Sequence, residues 1–277
     1  MSSAEIALLG VIAGGTIFLG LPMGRVRNPM LSTKAFLSAF ATGVLVFLLV
    51  DVLGDANGTV GEAAAAREWG KFAGLGALFV AGVAVSFLGL VAYDRWVSQR
   101  QRRAALGPGA ASEAEFATGV GLLALTPARM LALLIATGIG LHNFAEGLAI
   151  GENAAAGATG AWVILVVGFG LHNATEGFGI VAPLAGERER PSWAFLALLG
   201  LIGGGPTVLG TLVGQAWTSD AVEVLFLALA GGSILYVVIE LSNVNRAFGL
   251  KWVVSLGVTA GLLAGFATDW ILEIAHV

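Results

Sequence analysis

Eight apolar runs, each long enough to cross a lipid bilayer, constrain this chain more than any other feature of its sequence. A spanning helix needs about 20 predominantly apolar residues. Hydrophobic residues make up 57% of the 277 positions and charged residues 12%, whereas soluble domains average about 45–50% and about 25%. We therefore predict an all-α integral membrane bundle of eight transmembrane helices, near residues 5–24, 35–54, 73–94, 128–150, 158–183, 193–216, 221–244 and 251–273.

The basic residues indicate the orientation of these spans. With eight spans, the loops alternate between the two membrane faces, and 12 of the 14 Lys and Arg residues fall on or beside loops one, three, five and seven. Only Arg67 and Lys71 fall on the other face. Because positively charged loops stay cytoplasmic, both termini are predicted on the extracytoplasmic side of a multi-pass protein in the cell (inner) membrane.

The whole chain, residues 1–277, is predicted to form one membrane domain surrounded by lipid. The long polar interruption between spans three and four, at about 95–127, is rich in Gly, Pro, Ser, Ala and charge and predicts a flexible cytoplasmic loop. The chain has no cysteine, which excludes disulfides and thiolate metal sites. The formal net charge is −4, and no nucleic-acid partner is expected.

A duplicated polar motif lies within the fourth and fifth spans. Residues 138–147 read GIGLHNFAEG and residues 168–177 read GFGLHNATEG, 30 positions later. Both follow the pattern G-x-G-L-H-N-x-x-E-G. Two of the three histidines in the chain are in these repeats.

This motif predicts a metal site inside the membrane. On a helix, a His and a Glu four positions later lie on one face with the Asn beside them. A carboxylate within lipid costs at least about 2.5–3.5 kcal/mol by insertion scales and normally pairs or lines a pathway. The spans offer no Lys or Arg for this purpose, so the cation must come from outside the chain. Imidazole and carboxylate together suit Zn²⁺, Fe²⁺ and Mn²⁺. The alternative is a duplicated hydrogen-bonded helix contact with protonated carboxyls.

The paired H-N-x-x-E-G motifs resemble those of the ZIP (Zrt/Irt-like) family of divalent-metal transporters. The eight spans, the outward termini, the long loop after span three and the stretch AGGSILYVVIELSN at 230–243 are also similar. The resemblance implies a first metal position with four ligands and a second position that uses two asparagines, with the glutamates as bridges. The implied metal-site residues are His142, Asn143, Glu146, His172, Asn173 and Glu176.

The sequence departs from the family pattern in the sixth span. Where many members have a Glu before a Pro, this chain has Gly205 before Pro206, so one ligand of the second position is missing and one transported ion is expected. Asp51, late in span two, is a candidate for the ion entrance, and Glu240, near the end of span seven, for the exit. Asp51 is also interpretable as a structural hydrogen-bond partner, and the position of Glu240 near a membrane face favours an interfacial carboxylate.

The resemblance implies uptake of a divalent transition-metal ion, with Zn²⁺ first and Fe²⁺, Mn²⁺ or Cd²⁺ as alternatives. It also implies a homodimer in which spans one, four, five and six carry the ion past a scaffold of the other four. The metal is then cargo, with no cofactor and no enzymatic activity. Two other functions are compatible with the residues: an intramembrane metal-dependent hydrolase, since a bound Zn²⁺ can activate water, and a slow channel-like uniporter.

Overall fold

The computed structural model describes residues 1–26, 30–106, 125–155, 170, 173–187, 189–216 and 219–274, and within these ranges the regular secondary structure is helical. We number the principal helices in chain order. They are α1 (Ser3–Gly15), α2 (Leu31–Ala65), α3 (Trp69–Leu106), α4 (Pro127–Ala155), α5 (173–181), α6 (Trp193–Gly214), α7 (Asp220–Ala247) and α8 (Lys251–Ile274).

Seven segments of the described chain are long and apolar enough to cross a membrane. They correspond to predicted spans one to four and six to eight. Predicted span five, 158–183, lies partly outside the described residues, and α5 is its described end. The prediction of an all-α membrane bundle is confirmed.

Helix α2 is longer than the predicted span, which ended at residue 54. It continues to Ala65 because the polar stretch after Asp51 still carries an apolar stripe. Val60 and Ala63 are buried in a small cluster with Leu75 of α3 and Val224 of α7. This tertiary packing stabilises a segment that hydropathy alone assigns to a loop.

The predicted start of the cytoplasmic loop, at about residue 95, is wrong. Helix α3 continues to Leu106, because the sequence RWVSQRQRRAAL at 95–106 is rich in good helix formers and contains no Gly or Pro. The remainder of the predicted loop, 107–124, lies outside the described residues.

The first span is a broken helix. Helix α1 ends at Gly15, and a short helix (Ile17–Gly20) and a 3-10 turn (Leu21–Arg25) continue its course. At the break, the Thr16 hydroxyl donates to the Ala13 carbonyl at 2.6 Å. A break inside a membrane is tolerated only where neighbouring groups satisfy the freed backbone. The Thr16 hydroxyl is one such group for the Ala13 carbonyl.

The helices pack as two groups. In the first helix group, α6 packs against both α4 and α1, and α1 also contacts α4. In the second helix group, α8 packs against α2, and α7 packs against both α2 and α3. Helix α5 joins the first group, since its Gly177 lies against the backbone at Ile17 and Gly20. The principal contact between the groups is that of α4 with α7.

Glycine lets the backbones touch inside each group. In the first group, a Cβ at Gly210 of α6 would lie 2.1 Å from the Phe144 carbonyl of α4, and one at Gly204 would lie 2.2 Å from the Gly14 carbonyl of α1. In the second group, a Cβ at Gly261 of α8 would lie 2.0 Å from the Phe40 carbonyl of α2. Close approach through small residues is how membrane helices gain packing energy when lipid is as apolar as their side chains.

Side chains mediate the contact between the groups. Phe144 of α4 stacks on Phe226 of α7, with ring centroids 4.3 Å apart. Gly138 of α4 also faces α7, but the nearest atom to a Cβ there is the Ser233 hydroxyl at 2.9 Å rather than backbone. The α4–α7 surface therefore lacks the carbonyl-to-glycine interlocking found at these positions inside the groups.

Candidate metal centre

The first copy of the motif lies on one face of α4, well inside the bundle. His142, Asn143 and Glu146 are 4%, 0% and 6% exposed. The one-turn spacing of His142 and Glu146 brings the imidazole Nε2 to 3.0 Å from Glu146 Oε1. A helix therefore delivers the nitrogen and oxygen donors to one point, as the sequence spacing predicts.

The second copy is described in part. Asn173 and Glu176 lie on α5 and are 0% and 1% exposed. His172 lies outside the described residues. Glu176 is close enough to Glu146 and His142 for direct electrostatic interaction, so the two carboxylates occupy one buried region.

A hydrogen bond joins the two copies. The Asn143 amide donates from Nδ2 to Glu176 Oε2 at 3.1 Å and to the Gly203 carbonyl of α6 at 3.0 Å. Because both partners are acceptors, the chemistry fixes which end of the amide is nitrogen. One asparagine thus connects α4, α5 and α6 at the level of the carboxylates.

The other asparagine ties the site to the break in α1. Asn173 Nδ2 donates to the Ala13 carbonyl at 3.0 Å, which is the same carbonyl that accepts the Thr16 hydroxyl. The side-chain oxygens of Asn143 and Asn173 accept no hydrogen bond from any described residue. Each asparagine therefore uses its nitrogen to hold a neighbouring helix and keeps an oxygen donor atom in the buried region.

Helix α6 supports the site through an internal proline. Pro206 lacks an N–H, so the Ile202 carbonyl loses its helical partner. Helix α4 covers that carbonyl with Gly140, where a Cβ would lie 2.3 Å from the oxygen. Gly203, the acceptor for Asn143, is the next residue. The Gly-Pro stretch thus turns backbone oxygens of α6 toward α4.

The described residues alone do not complete a metal site. No group of three His, Asp or Glu side chains in that part of the chain is placed to hold an ion. The imidazole and the two carboxylates that the structure describes lie near one another, and the fourth predicted ligand, His172, is outside the described part.

Asp51 lies on α2 beside this region. It is half-buried, in the middle of α2 rather than near the predicted end of its span, and it interacts electrostatically with His142 and Glu146. Asp55, one turn further along α2, interacts with His142 as well. Sequence reasoning overlooked Asp55, although its i, i+4 spacing from Asp51 indicates a shared helix face.

Glu240 does not lie at the motif. It lines a separate cavity of about 340 Å³ between α7 and the first turns of α4, together with Asp94 of α3 and Tyr236 of α7. Asp94 is close enough to Glu240 for electrostatic interaction. No pattern in the sequence predicts that Asp94 and Glu240 line the same cavity.

The motif does not predict the two backbone carbonyls, of Ala13 and Gly203, that accept hydrogen bonds from the asparagines. Main-chain groups leave no mark of their own in a sequence, but both lie in glycine-rich stretches, AGGT at 13–16 and GGGP at 203–206. Such stretches in a membrane helix indicate a place where the backbone is exposed to a neighbour.

Comparison with known proteins identifies the family. The family model described as ZIP zinc transporter matches residues 112–268, which is more than half of the chain and includes both motif copies. A comparison with curated protein sequences returns no match. Because this model matches more than half of a chain that folds as an all-α membrane bundle, the chain belongs to the ZIP zinc transporter family.

Proposed function

We propose that this protein takes up divalent transition-metal ions, Zn²⁺ first among them, through a site on α4 and α5 made by His142, Glu146, His172 and Glu176. Metal-ion transport across the membrane is the function of the family to which the chain belongs. Our proposal adds four points to that function: the preferred ion, the residues of the site, the direction of transport and the mode of movement.

The observation that carries this proposal is the hydrogen bond from Asn143 to Glu176. It brings the carboxylate of one motif copy beside the polar face of the other, with both glutamates at least nine-tenths buried. Two carboxylates in a membrane interior need a compensating charge. One divalent cation supplies two positive charges, with no basic side chain required.

The spacing of the donors fits an ion with few changes. Zinc binds imidazole nitrogen and carboxylate oxygen at about 2.0–2.2 Å in tetrahedral geometry, which separates two donors by about 3.4 Å. His142 Nε2 and Glu146 Oε1 are 3.0 Å apart, so a shift of a few tenths of an ångström opens the pair for an ion.

Acidic residues lie on both sides of the site and support a path through the protein. Beyond Glu146, a cavity of about 130 Å³ is lined by Glu152 of α4 with Asp220 and Glu223 of α7. We assign this cavity and Asp51 to the extracytoplasmic entrance. The cavity that contains Glu240 and Asp94 lies at the opposite ends of α4 and α7, and we assign it to the exit.

The two helix groups support an elevator-type movement. The proposed ligands belong to the first group, whose helices interlock through glycine and backbone. Side chains such as Phe144 and Phe226 mediate the contact with the second group. Packed helices can slide in small steps along such surfaces, so the first group can carry an ion past the second as one body.

The membrane potential is sufficient to drive import. A divalent ion moving inward gains about 4.6 kcal/mol per 100 mV, twice the value for one charge. The predicted orientation, with both termini outside, places the acidic entrance on the side from which cations are drawn.

Uptake into vesicles tests the proposal. Purified protein reconstituted into liposomes with an inside-negative potential should accumulate Zn²⁺, and His142→Ala and Glu176→Gln should each reduce the initial rate more than about 100-fold, since even supporting residues around a metal change affinity by about 10–100-fold. Glu62→Gln, which neutralises an exposed carboxylate on α2, serves as the control and should transport like the parent. Parental rates in both site variants would show that the site is assigned wrongly.

The hydrolase alternative is tested in the same preparation. It requires turnover of an ester or peptide substrate by the zinc-loaded protein, with sensitivity to Glu176→Gln, and no zinc flux. Flux without turnover supports the transporter.

A further inference from the structure

A cavity of about 400 Å³ opens where α7 ends and α8 begins, far from the metal motif in the sequence. Its polar lining comes from three helices: Ser242, Asn245 and Arg246 of α7, Lys251 and Ser255 of α8, and Thr42 of α2. Val254 and Val258, one turn apart on α8, form an apolar wall. The cavity lies entirely within the second helix group.

The mouth of this cavity is positively charged. Arg246 and Lys251 are both exposed, and Lys251 is the first residue of α8, a helix of 24 residues. The chain turns between the two helices through Gly249, whose φ of 69° is in the left-handed region. The free N–H groups and positive dipole end of α8 therefore add to two cationic side chains, an arrangement that binds phosphate.

Asn245 provides an independent indication of a ligand. Its Nδ2 donates to Thr42 Oγ1 at 2.8 Å, and the Thr42 hydroxyl donates in turn to the Ser38 carbonyl at 2.9 Å. The Asn245 Oδ1 atom is therefore the acceptor end. This side chain is 3% exposed, and Oδ1 accepts no hydrogen bond from any described residue. A buried amide oxygen needs a donor, such as a hydroxyl on a bound molecule.

The surroundings identify the class of that molecule. Trp252, beside Lys251, is 82% exposed, and exposed tryptophans at helix ends lie at the level of lipid headgroups. The apolar wall at Val254 and Val258 continues from there along α8 toward the hydrocarbon. A free anion would use the charged mouth but would leave this wall without a partner.

We propose that the cavity binds an anionic glycerophospholipid with hydroxyls in its headgroup, from the leaflet predicted to be cytoplasmic. Arg246, Lys251 and the first N–H groups of α8 hold the phosphate. A headgroup hydroxyl donates to Asn245 Oδ1, and an acyl chain lies along Val254 and Val258. The lipid would link α2, α7 and α8 without involving the metal site, so the proposal does not depend on the proposed function.

Native mass spectrometry of the purified full chain in detergent tests this binding. Titration with phosphatidylglycerol and with phosphatidylcholine of the same acyl chains should give one tight site for the first lipid only. Each Lys or Arg near a membrane surface contributes about fivefold in binding to anionic lipid, so Arg246→Gln with Lys251→Gln should weaken this site about 30-fold. The control is Arg95→Gln with Arg190→Gln, which removes the same charge from the same predicted face away from the cavity and should bind like the parent.

Further arms of this experiment distinguish the sources of phosphate. Inorganic phosphate and glycerophosphate should not displace the bound lipid at concentrations that saturate phosphatidylglycerol binding. Displacement by either, equal binding of the two lipids, or equal weakening in the control pair would overturn the proposal. If the double variant does not fold, Lys251→Gln alone, expected to bind about fivefold more weakly, takes its place.

Discussion

The two helix groups differ in what their buried polar residues do. In the second group, Asn245 and Thr42 form a neutral hydrogen-bonded pair between α7 and α2. In the first group, Glu146 and Glu176 are buried with His142 and bring ionisable chemistry into the bundle. Both groups use glycine for close packing. Among the described residues, the buried imidazole and carboxylates belong to the first group, whereas the second group contributes carboxylates that are only partly buried, such as Asp51.

Under the proposed function, this difference corresponds to a division between a group of helices that carries the ion and a group that stays in place. Asn143 of the first group and Asn245 of the second illustrate the difference, because both are buried and both donate from Nδ2. Asn143 donates to a carboxylate and to a backbone carbonyl, whereas Asn245 donates to a hydroxyl. Two questions follow: whether the two helix groups move as separate bodies, and whether zinc uptake depends only on the polar site of the first group.

Cross-linking the groups should have the largest effect. The natural chain has no cysteine, so paired cysteines can be introduced without background. Phe144→Cys with Phe226→Cys, joined by a short reducible thiol cross-linker across the α4–α7 contact, should abolish zinc uptake, because the carrying body can no longer move. Vesicle flux before and after reduction measures the effect, and reduction should restore it.

The matched control lies inside the second group. The ring centroids of Phe47 on α2 and Phe266 on α8 are 5.0 Å apart. The control variant is Phe47→Cys with Phe266→Cys, which allows the same cross-linker to join these two helices. Cross-linking there should leave uptake within about twofold of the reduced sample, since both helices belong to one body. Full uptake with the α4–α7 cross-link in place would support the channel-like uniporter instead.

Replacing the two asparagines should separate function from stability. Asn143→Ala removes the support of Glu176 and should weaken zinc binding about 10–100-fold. Asn245→Ala should leave zinc affinity within about twofold. Asn143→Ala removes two buried hydrogen bonds and Asn245→Ala removes one, and each variant should lose about 1–3 kcal/mol of stability. Zinc titration and thermal unfolding of both variants in detergent measure the two effects. If Asn245→Ala weakened zinc binding as much as Asn143→Ala, the proposed difference between the two helix groups would be contradicted.

The smallest effects are expected from a pair of adjacent glycines on α6. A Cβ at Gly204 would meet the Gly14 carbonyl at 2.2 Å, whereas one at Gly205 meets no atom of another helix within 4 Å. Gly204→Ala should therefore destabilise the protein by about 1–3 kcal/mol by forcing α1 from α6. Gly205→Ala should cost no more than about 1 kcal/mol, because its methyl group is crowded only by the ring of the following Pro206. Similar melting temperatures for the two variants would show that the α1–α6 contact is looser than the structure indicates.

Much of the fold is predictable because span length and hydropathy follow directly from bilayer thickness. The seven described spanning segments lie where the apolar runs place them. The differences occur where other forces contribute: Val60 and Ala63 extend α2 through tertiary packing, and α3 continues to Leu106 through a stretch rich in good helix formers. The break at Thr16 depends on partners from distant parts of the chain, which hydropathy does not register.

The burial of the described motif residues was predictable from the sequence, but their hydrogen-bond partners were not. A duplicated H-N-x-x-E-G motif within lipid identifies the polar groups, and helix periodicity places His142 beside Glu146. The partners of Asn143 and Asn173 are carbonyls of other helices, at Gly203 and Ala13. These contacts depend on how α1, α5 and α6 cross, and one sequence does not specify that arrangement.

We propose that one divalent ion binds between α4 and α5 with the two motif histidines as ligands. X-ray absorption spectroscopy of the zinc-loaded protein tests it most directly. We expect one Zn²⁺ per chain with nitrogen and oxygen neighbours at about 2.0–2.1 Å, two of them imidazoles, and His142→Ala should reduce the imidazole count to one. A zinc shell of oxygen alone, or one that His142→Ala leaves unchanged, would contradict the account.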